Sequence, residues 1–221
     1  MRLVILAAGL GTRMRPASDG RPKILLEVSG ATVLERILEL SDYLDVDPLV
    51  VTRPEFAAEC RKSGAEVLAE EKPTAMIDTL FYARQRVGDV PFAWIGGDML
   101  FSEPAPLKSL LEAHEAGGRY ASFFYCRTER FKAKLVLEPE PRVAITRQGR
   151  YSYSIPNFLV HSAAAWTYME TTAPRYDFLQ SGIASGEPIL VREYPAEVFE
   201  LDTPHDLSEA RRFFEPCPSL S

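Results

Sequence analysis

Cysteine and histidine are scarce in this chain, and long apolar runs and basic blocks are missing. Its 221 residues include three cysteines, Cys60, Cys126 and Cys217, widely spaced, odd in number and without histidine at metal-ligand spacing. That argues against a disulfide framework and against zinc, and predicts free thiols in a reducing compartment. The three histidines, His114, His161 and His205, are scattered with no nucleophile or carboxylate partner suggested, so none is assigned a catalytic role. No apolar run approaches the roughly 18 to 20 residues of a membrane span, and the first strand runs into charged residues without a cleavage-like segment. A cytoplasmic protein with no membrane partner is expected. Lys and Arg number 25 against 31 Asp and Glu, a net charge of −6, and no basic block of about five or six residues occurs. That argues against a nucleic-acid-binding surface, and any phosphate-binding charge must be local. With no repeat or low-complexity tract, one domain is expected over residues 1–215, as a monomer or homodimer, with 216–221 as a tail.

What is present begins with Leu3-Val-Ile-Leu6, an apolar run suited to a strand covered on both faces, followed by Ala7-Ala-Gly-Leu-Gly-Thr-Arg-Met14. Ala7, Ala8, Gly9 and Gly11 carry almost no side chain, so the backbone can approach a ligand closely and turn N–H groups toward anionic oxygens. Thr12 adds a hydroxyl, Arg13 a fixed positive charge and Lys23, after Pro22, a second cation. A dinucleotide fingerprint would need a glycine where Met14 stands, and a P-loop would need Gly-Lys-Ser/Thr where Arg13-Met14-Arg15 stands. A tight turn with incidental charges is the structural alternative.

Two aspartates follow strand candidates. Asp98 comes after Phe92-Ala-Trp-Ile95 and Gly96-Gly97, and Asp202 after Val198-Phe-Glu-Leu201, at the start of the helix announced by Thr203-Pro204. Each has an ordinary reading, Asp98 as a turn former and Asp202 as a helix cap. Together at strand ends, near a phosphate loop, they offer the one or two carboxylates that Mg²⁺ takes beside phosphate oxygens and water.

Elsewhere strands and helices alternate. Strands are predicted at 3–6, 48–52, 66–69 and 92–95, with helices at 33–44, 54–63, 76–87 and 107–116 between and after them, which implies a mostly parallel sheet. The second half is richer in strands, at 120–126, 133–137, 143–146, 158–161 and 189–193, with helices at 163–171, 176–185 and 203–214. That pattern is an α/β fold with a small antiparallel insertion.

L-A-A-G-L-G-T-R-M with P-K-I-L after it resembles the signature of the sugar-1-phosphate nucleotidyltransferases, over most of the chain but thinly between Lys108 and Trp166. The resemblance implies a Rossmann-like three-layer α/β/α, GT-A-like fold. It implies nucleotide binding by Leu6, Ala7, Ala8, Gly9, Gly11, Thr12, Arg13, Lys23 and Gly97, catalytic charge from Arg13 and Lys23, and Mg²⁺ on Asp98 and Asp202. The reaction implied joins a nucleoside triphosphate to a phosphorylated acceptor, a sugar 1-phosphate, giving an NDP-sugar and pyrophosphate. Family members carry G-T-A before a helix where the base is read; here Pro73-Thr74-Ala75 lacks the glycine. Thr74, Ala75, Asp78 and Thr79 are candidates for base or ribose contacts, Thr74 equally for capping the helix at 76–87. Ser154-Ile-Pro-Asn157 resembles an acceptor strand, which makes Asn157 and Arg147 acceptor-binding candidates, though both suit surface turns. Tyr151, Tyr153, Trp166 and Tyr168 could hold a quaternary ammonium or belong to the core. Competing functions are a cytidylyltransferase acting on an alcohol phosphate or phosphonate, a molybdopterin-nucleotidylating enzyme and a non-catalytic nucleotide sensor. A metal-dependent glycosyltransferase is disfavoured because Met99-Leu100 follows Asp98 where Asp-x-Asp would be needed.

Overall fold

The computed structural model describes residues 1–15, 17–127, 131, 133–136, 142–145 and 153–215. The expected elements are present with ends shifted by a few residues, joined by a short hairpin that the sequence does not announce: β1 Arg2–Ala7, the hairpin strands β2 Glu27–Val28 and β3 Ala31–Thr32 leading into α1 Val33–Leu44, then β4 Asp47–Thr52, α2 Pro54–Arg61, β5 Glu66–Ala69, α3 Met76–Val87 and β6 Phe92–Gly96. Next come β7 Met99–Phe101, α4 Pro104–Gly117, β8 Ala121–Tyr125, β9 Ala133–Val136, β10 Arg142–Ile145, β11 Tyr153–Ile155 and β12 Phe158–His161. The chain closes with α5 Ala164–Thr171, α6 Phe178–Ala184, β13 Ile189–Glu193, β14 Val198–Glu200 and α7 Pro204–Phe214.

Seven strands form the central sheet in the order β13-β8-β12-β6-β1-β4-β5. β6, β1, β4 and β5 are parallel, β13 is parallel to β8, and β12 runs against both its neighbours. Strand alternation splits the core into two clusters. Leu3 and Ile5 of β1 pack with Val33, Leu34 and Ile37 of α1 and Leu107, Leu110 and Leu111 of α4. Val4 and Leu6 pack with Ile77, Leu80 and Ala83 of α3 and with Trp166 and Met169 of α5. The result is the three-layer α/β/α arrangement expected, and β9, β10 and β11 make the expected antiparallel addition, a three-stranded sheet in the order β10-β9-β11.

Two of the ordinary readings are corrected. α7 is capped by Thr203, not Asp202: the Thr203 hydroxyl accepts from the Asp206 amide while the Asp206 carboxylate accepts from the Thr203 amide. α3 has Ala75 at its N-cap and no side-chain cap, so Thr74 does not cap it; its hydroxyl donates to Asp78 instead, at 2.7 Å. The aromatic candidates divide. Trp166 is fully buried and stacks on Phe92 with ring centroids 4.0 Å apart, and Tyr168 packs edge-on against Tyr120, so both serve the core. Tyr153 meets Tyr125 edge-on, and Tyr151 lies outside the described residues, as does the 216–221 tail. No described helix is long and apolar enough to cross a membrane.

Candidate active site

The carboxyl ends of β1, β4, β5 and β6 open into a cleft of about 470 Å³, the edge at which open α/β sheets bind ligands. Its glycine loop leaves β1 at Ala8 and enters a 3₁₀ turn at Thr12–Met14, with Gly11 at φ 59° in the left-handed region that side chains avoid. Met14, fully buried, plugs that turn into the core while Arg13 beside it stays about half exposed. The same device seats Lys23. Pro22 precedes a second 3₁₀ turn, Lys23–Leu25, and the buried Ile24 and Leu25 turn the lysine back toward the loop.

Asp98 stands in the turn between β6 and β7, and Asp202 follows β14. A two-stranded antiparallel ladder brings them together: Val198 pairs with Phe101, Phe199 with Leu100 and Glu200 with Met99, and the Leu201 amide donates to the Asp98 carbonyl at 2.9 Å. Lys23 Nζ lies 2.8 Å from Asp98 Oδ2 and 2.5 Å from Asp202 Oδ1, and Arg13 Nη1 lies 2.6 Å from Asp202 Oδ2. Burial alone would lower the Lys23 pKa, but the Asp98 and Asp202 carboxylates outweigh it and hold the ammonium above the ordinary lysine range.

Glu200 joins these aspartates. It is almost fully buried, and Asp98, Glu200 and Asp202 each bring a carboxylate oxygen within 4.8 Å of the others. An all-carboxylate set fits a hard divalent cation and not a soft one. Sequence reasoning treated Glu200 as one strand residue among four. The signal was the Glu-x-Asp spacing, since side chains two apart on an extended chain share a face.

Gly97 lies tight against the backbone of β1. A Cβ there would lie 2.9 Å from the Leu6 carbonyl oxygen and 3.0 Å from Ala7 Cβ, while the Gly97 amide donates to Leu6 at 2.9 Å. At Gly9 a Cβ would meet no protein atom within 4 Å.

The cleft is lined by Leu6, Ala7, Ala8, Gly9, Gly11, Thr12, Arg13, Lys23, Thr74, Ala75, Gly97, Asp98, Asn157 and Asp202, all sequence-predicted. Arg147 lies outside the described residues. Of the further base or ribose candidates, Thr79 lines the cleft and donates its hydroxyl to the buried Glu70 at 2.6 Å, whereas Asp78 is engaged by Thr74 and by Arg175. Arg53, unremarked in the sequence, also lines it, its Nε donating to the Ala8 carbonyl at 3.0 Å. The three histidines lie outside the cleft lining, His114 hydrogen-bonded to Ser122, His161 buried and His205 facing Glu209 on α7.

A family model described as a MobA-like NTP transferase domain matches residues 3–207. A UTP–glucose-1-phosphate uridylyltransferase from Staphylococcus saprophyticus is 25% identical over 149 residues, 53% of this chain and 52% of that protein. The bifunctional protein GlmU of Leifsonia xyli is 33% identical over 136 residues, 55% of this chain and 26% of that one. The chain thus matches about half, or less, of the length of these curated relatives. A solved structure of UDP-glucose pyrophosphorylase complexed with UDP-glucose superposes with a TM-score of 0.81 at 14% identity, covering 96% of this chain and 97% of that chain, a likeness of fold.

Proposed function

Since the chain belongs to the MobA-like NTP transferase family, we propose that it transfers a nucleoside monophosphate from a nucleoside triphosphate to a phosphorylated acceptor, a sugar 1-phosphate. The observation that carries this reading is the convergence of three carboxylates and two cations on a glycine loop in one cleft. The choice of a sugar phosphate is supported by the named activity of the Staphylococcus saprophyticus relative.

The chemistry needs no protein nucleophile or general base. An acceptor phosphate oxygen, anionic near neutral pH, attacks the α-phosphorus in line; a new P–O bond forms and the bond to the leaving pyrophosphate breaks. The protein's part is positioning and charge compensation. Backbone amides of the Gly9–Gly11 loop and the Arg13 guanidinium receive the β- and γ-phosphates. Lys23 offsets charge building on the α-phosphoryl group. Asp98, Glu200 and Asp202 would hold Mg²⁺, which when bound supplies further neutralisation at phosphate oxygens. Thr74 and Ala75 lie along the nucleoside end, and Asn157, in the wall close to Gly96, faces the acceptor, with Arg147 as a further acceptor contact.

The test is pyrophosphate release with each of the four ribonucleoside triphosphates and Mg²⁺ against a panel of sugar 1-phosphates, phosphocholine and aminoethylphosphonate. Release that requires one triphosphate and one sugar 1-phosphate is expected. Release with an alcohol phosphate or phosphonate alone would move the acceptor to the cytidylyltransferase alternative. Triphosphate binding with no release for any acceptor would favour a nucleotide sensor.

A further inference from the structure

Arg13 and Lys23 are engaged with carboxylates, whereas Arg53, also in the cleft wall, is held by a backbone carbonyl. A guanidinium carries five N–H donors in a rigid fork. The Nε donor is committed to the Ala8 carbonyl at 3.0 Å, which orients the plane against the glycine loop, and the Nη donors have no partner among the described residues.

Strand order says which end of a ligand this fork meets. Asp98 follows β6, the loop follows β1 and Arg53 follows β4, in the sheet order β6-β1-β4-β5. With strands about 4.8 Å apart, the ends of β6 and β4 are about 10 Å apart, on opposite sides of the loop. Arg13 and Lys23, the cations that take the phosphates, sit on the carboxylates at the β6 side, so a triphosphate held there extends its nucleoside toward β4, β5 and the Thr74–Met76 segment that starts α3. Pro73, at the head of that segment, has no N–H to give a base edge, which leaves a donor to be supplied from another element.

We infer that Arg53 is that specificity-determining residue: its Nη groups donate to a ring carbonyl oxygen of the nucleobase. The inference rests on the nucleotidyl-transfer reading above. Uracil, thymine, cytosine and guanine each carry a ring carbonyl that can supply the acceptor, whereas adenine carries none and is disfavoured. Lysine cannot replace the residue, because a single ammonium lacks the planar fork that both grips Ala8 and reaches the base.

Titration calorimetry with UTP, CTP, GTP, ATP and base-less ribose 5-triphosphate, each with Mg²⁺, tests this on the wild-type protein, R53K and R53M. The wild type is expected to bind its preferred keto-base triphosphate about tenfold or more tighter than ATP, the range of one good guanidinium–base contact. In R53K and R53M that ratio falls toward one, while affinity for ATP and ribose 5-triphosphate is unchanged. A ratio that survives both substitutions overturns the inference. So does equal weakening of all five ligands in R53M with recovery in R53K, which would mark a phosphate contact. If the wild type binds none of the triphosphates, the nucleotidyl-transfer reading itself fails, a result distinct from either.

Discussion

At the scale of single residues, two glycines in the cleft wall make opposite demands. Gly97 abuts backbone of β1, so Gly97→Ala should destabilise by on the order of 1–3 kcal/mol and lower the melting temperature, because a carbonyl oxygen cannot move aside as a flexible side chain can. Gly9→Ala meets open space and should melt like the wild type, yet calorimetry should show weaker triphosphate binding, its methyl standing where a phosphate must come close. The carboxylates follow a different logic. Asp98→Asn, Asp202→Asn and Glu200→Gln each relieve repulsion among three acids, so the fold should survive while pyrophosphate release falls by about a hundredfold or more. Near wild-type turnover in Glu200→Gln would remove that residue from the set. His161 carries a prediction about pH. It is fully buried among Phe92, Tyr120 and Phe178, and burial pushes its pKa down to about 3. As pH falls below the unfolded value near 6.5, the unfolded chain binds a proton that the folded chain refuses, so its contribution is intact above pH 6.5 and is lost toward pH 3. At pH 5 the loss is about 2 kcal/mol. Urea titrations at pH 7.5 and 5.0 should show this difference in the wild type and a smaller one in His161→Phe.

At the scale of elements, what was legible in the sequence was what local chemistry determines. α1 begins at Val33 because Thr32 and Glu35 form a capping box, and α3 and β5 have the predicted ends. The elements that escaped were short. β7, three residues after the Gly97-Asp98 turn, is defined only by its pairing with β14 nearly a hundred residues later, and no window around Met99 announces that partner. Glu200 was missed for the same reason, since its place beside Asp98 comes from that ladder. The glycine loop, Arg13, Lys23 and both aspartates could be read as neighbours because small residues after a buried strand, cations close behind them and aspartates at strand ends form a pattern that local sequence carries. Arg53 could not, because an arginine between a strand and Pro54 reads as solvent-facing until the Ala8 carbonyl is seen. The capping box of α7 follows Asp202 directly. Thr203→Ala should therefore reduce stability by about 1 kcal/mol and loosen the backbone under Asp202, whose amide donates to Asp206 at 3.1 Å; chemical denaturation would measure the first and Mn²⁺ affinity the second.

At the scale of the whole molecule, the cleft is assembled from both ends of the chain. Lys23, Asp98 and Asp202 converge only when β14 has docked. A triphosphate with Mg²⁺ should bind the assembled fold alone, raising stability by about 2.7 kcal/mol at a hundred times its dissociation constant, read as a higher melting temperature that EDTA reverses. The small sheet β10-β9-β11 lies apart from this assembly. The chain leaves the main sheet at β8 and re-enters at β12, its immediate neighbour, so the excursion begins and ends in the same place. Buried Phe131, Leu135 and Ile155 are its plugs into the two core clusters. Because its endpoints adjoin, the segment can lengthen or shorten while the strands that carry the glycine loop and the carboxylates keep their register.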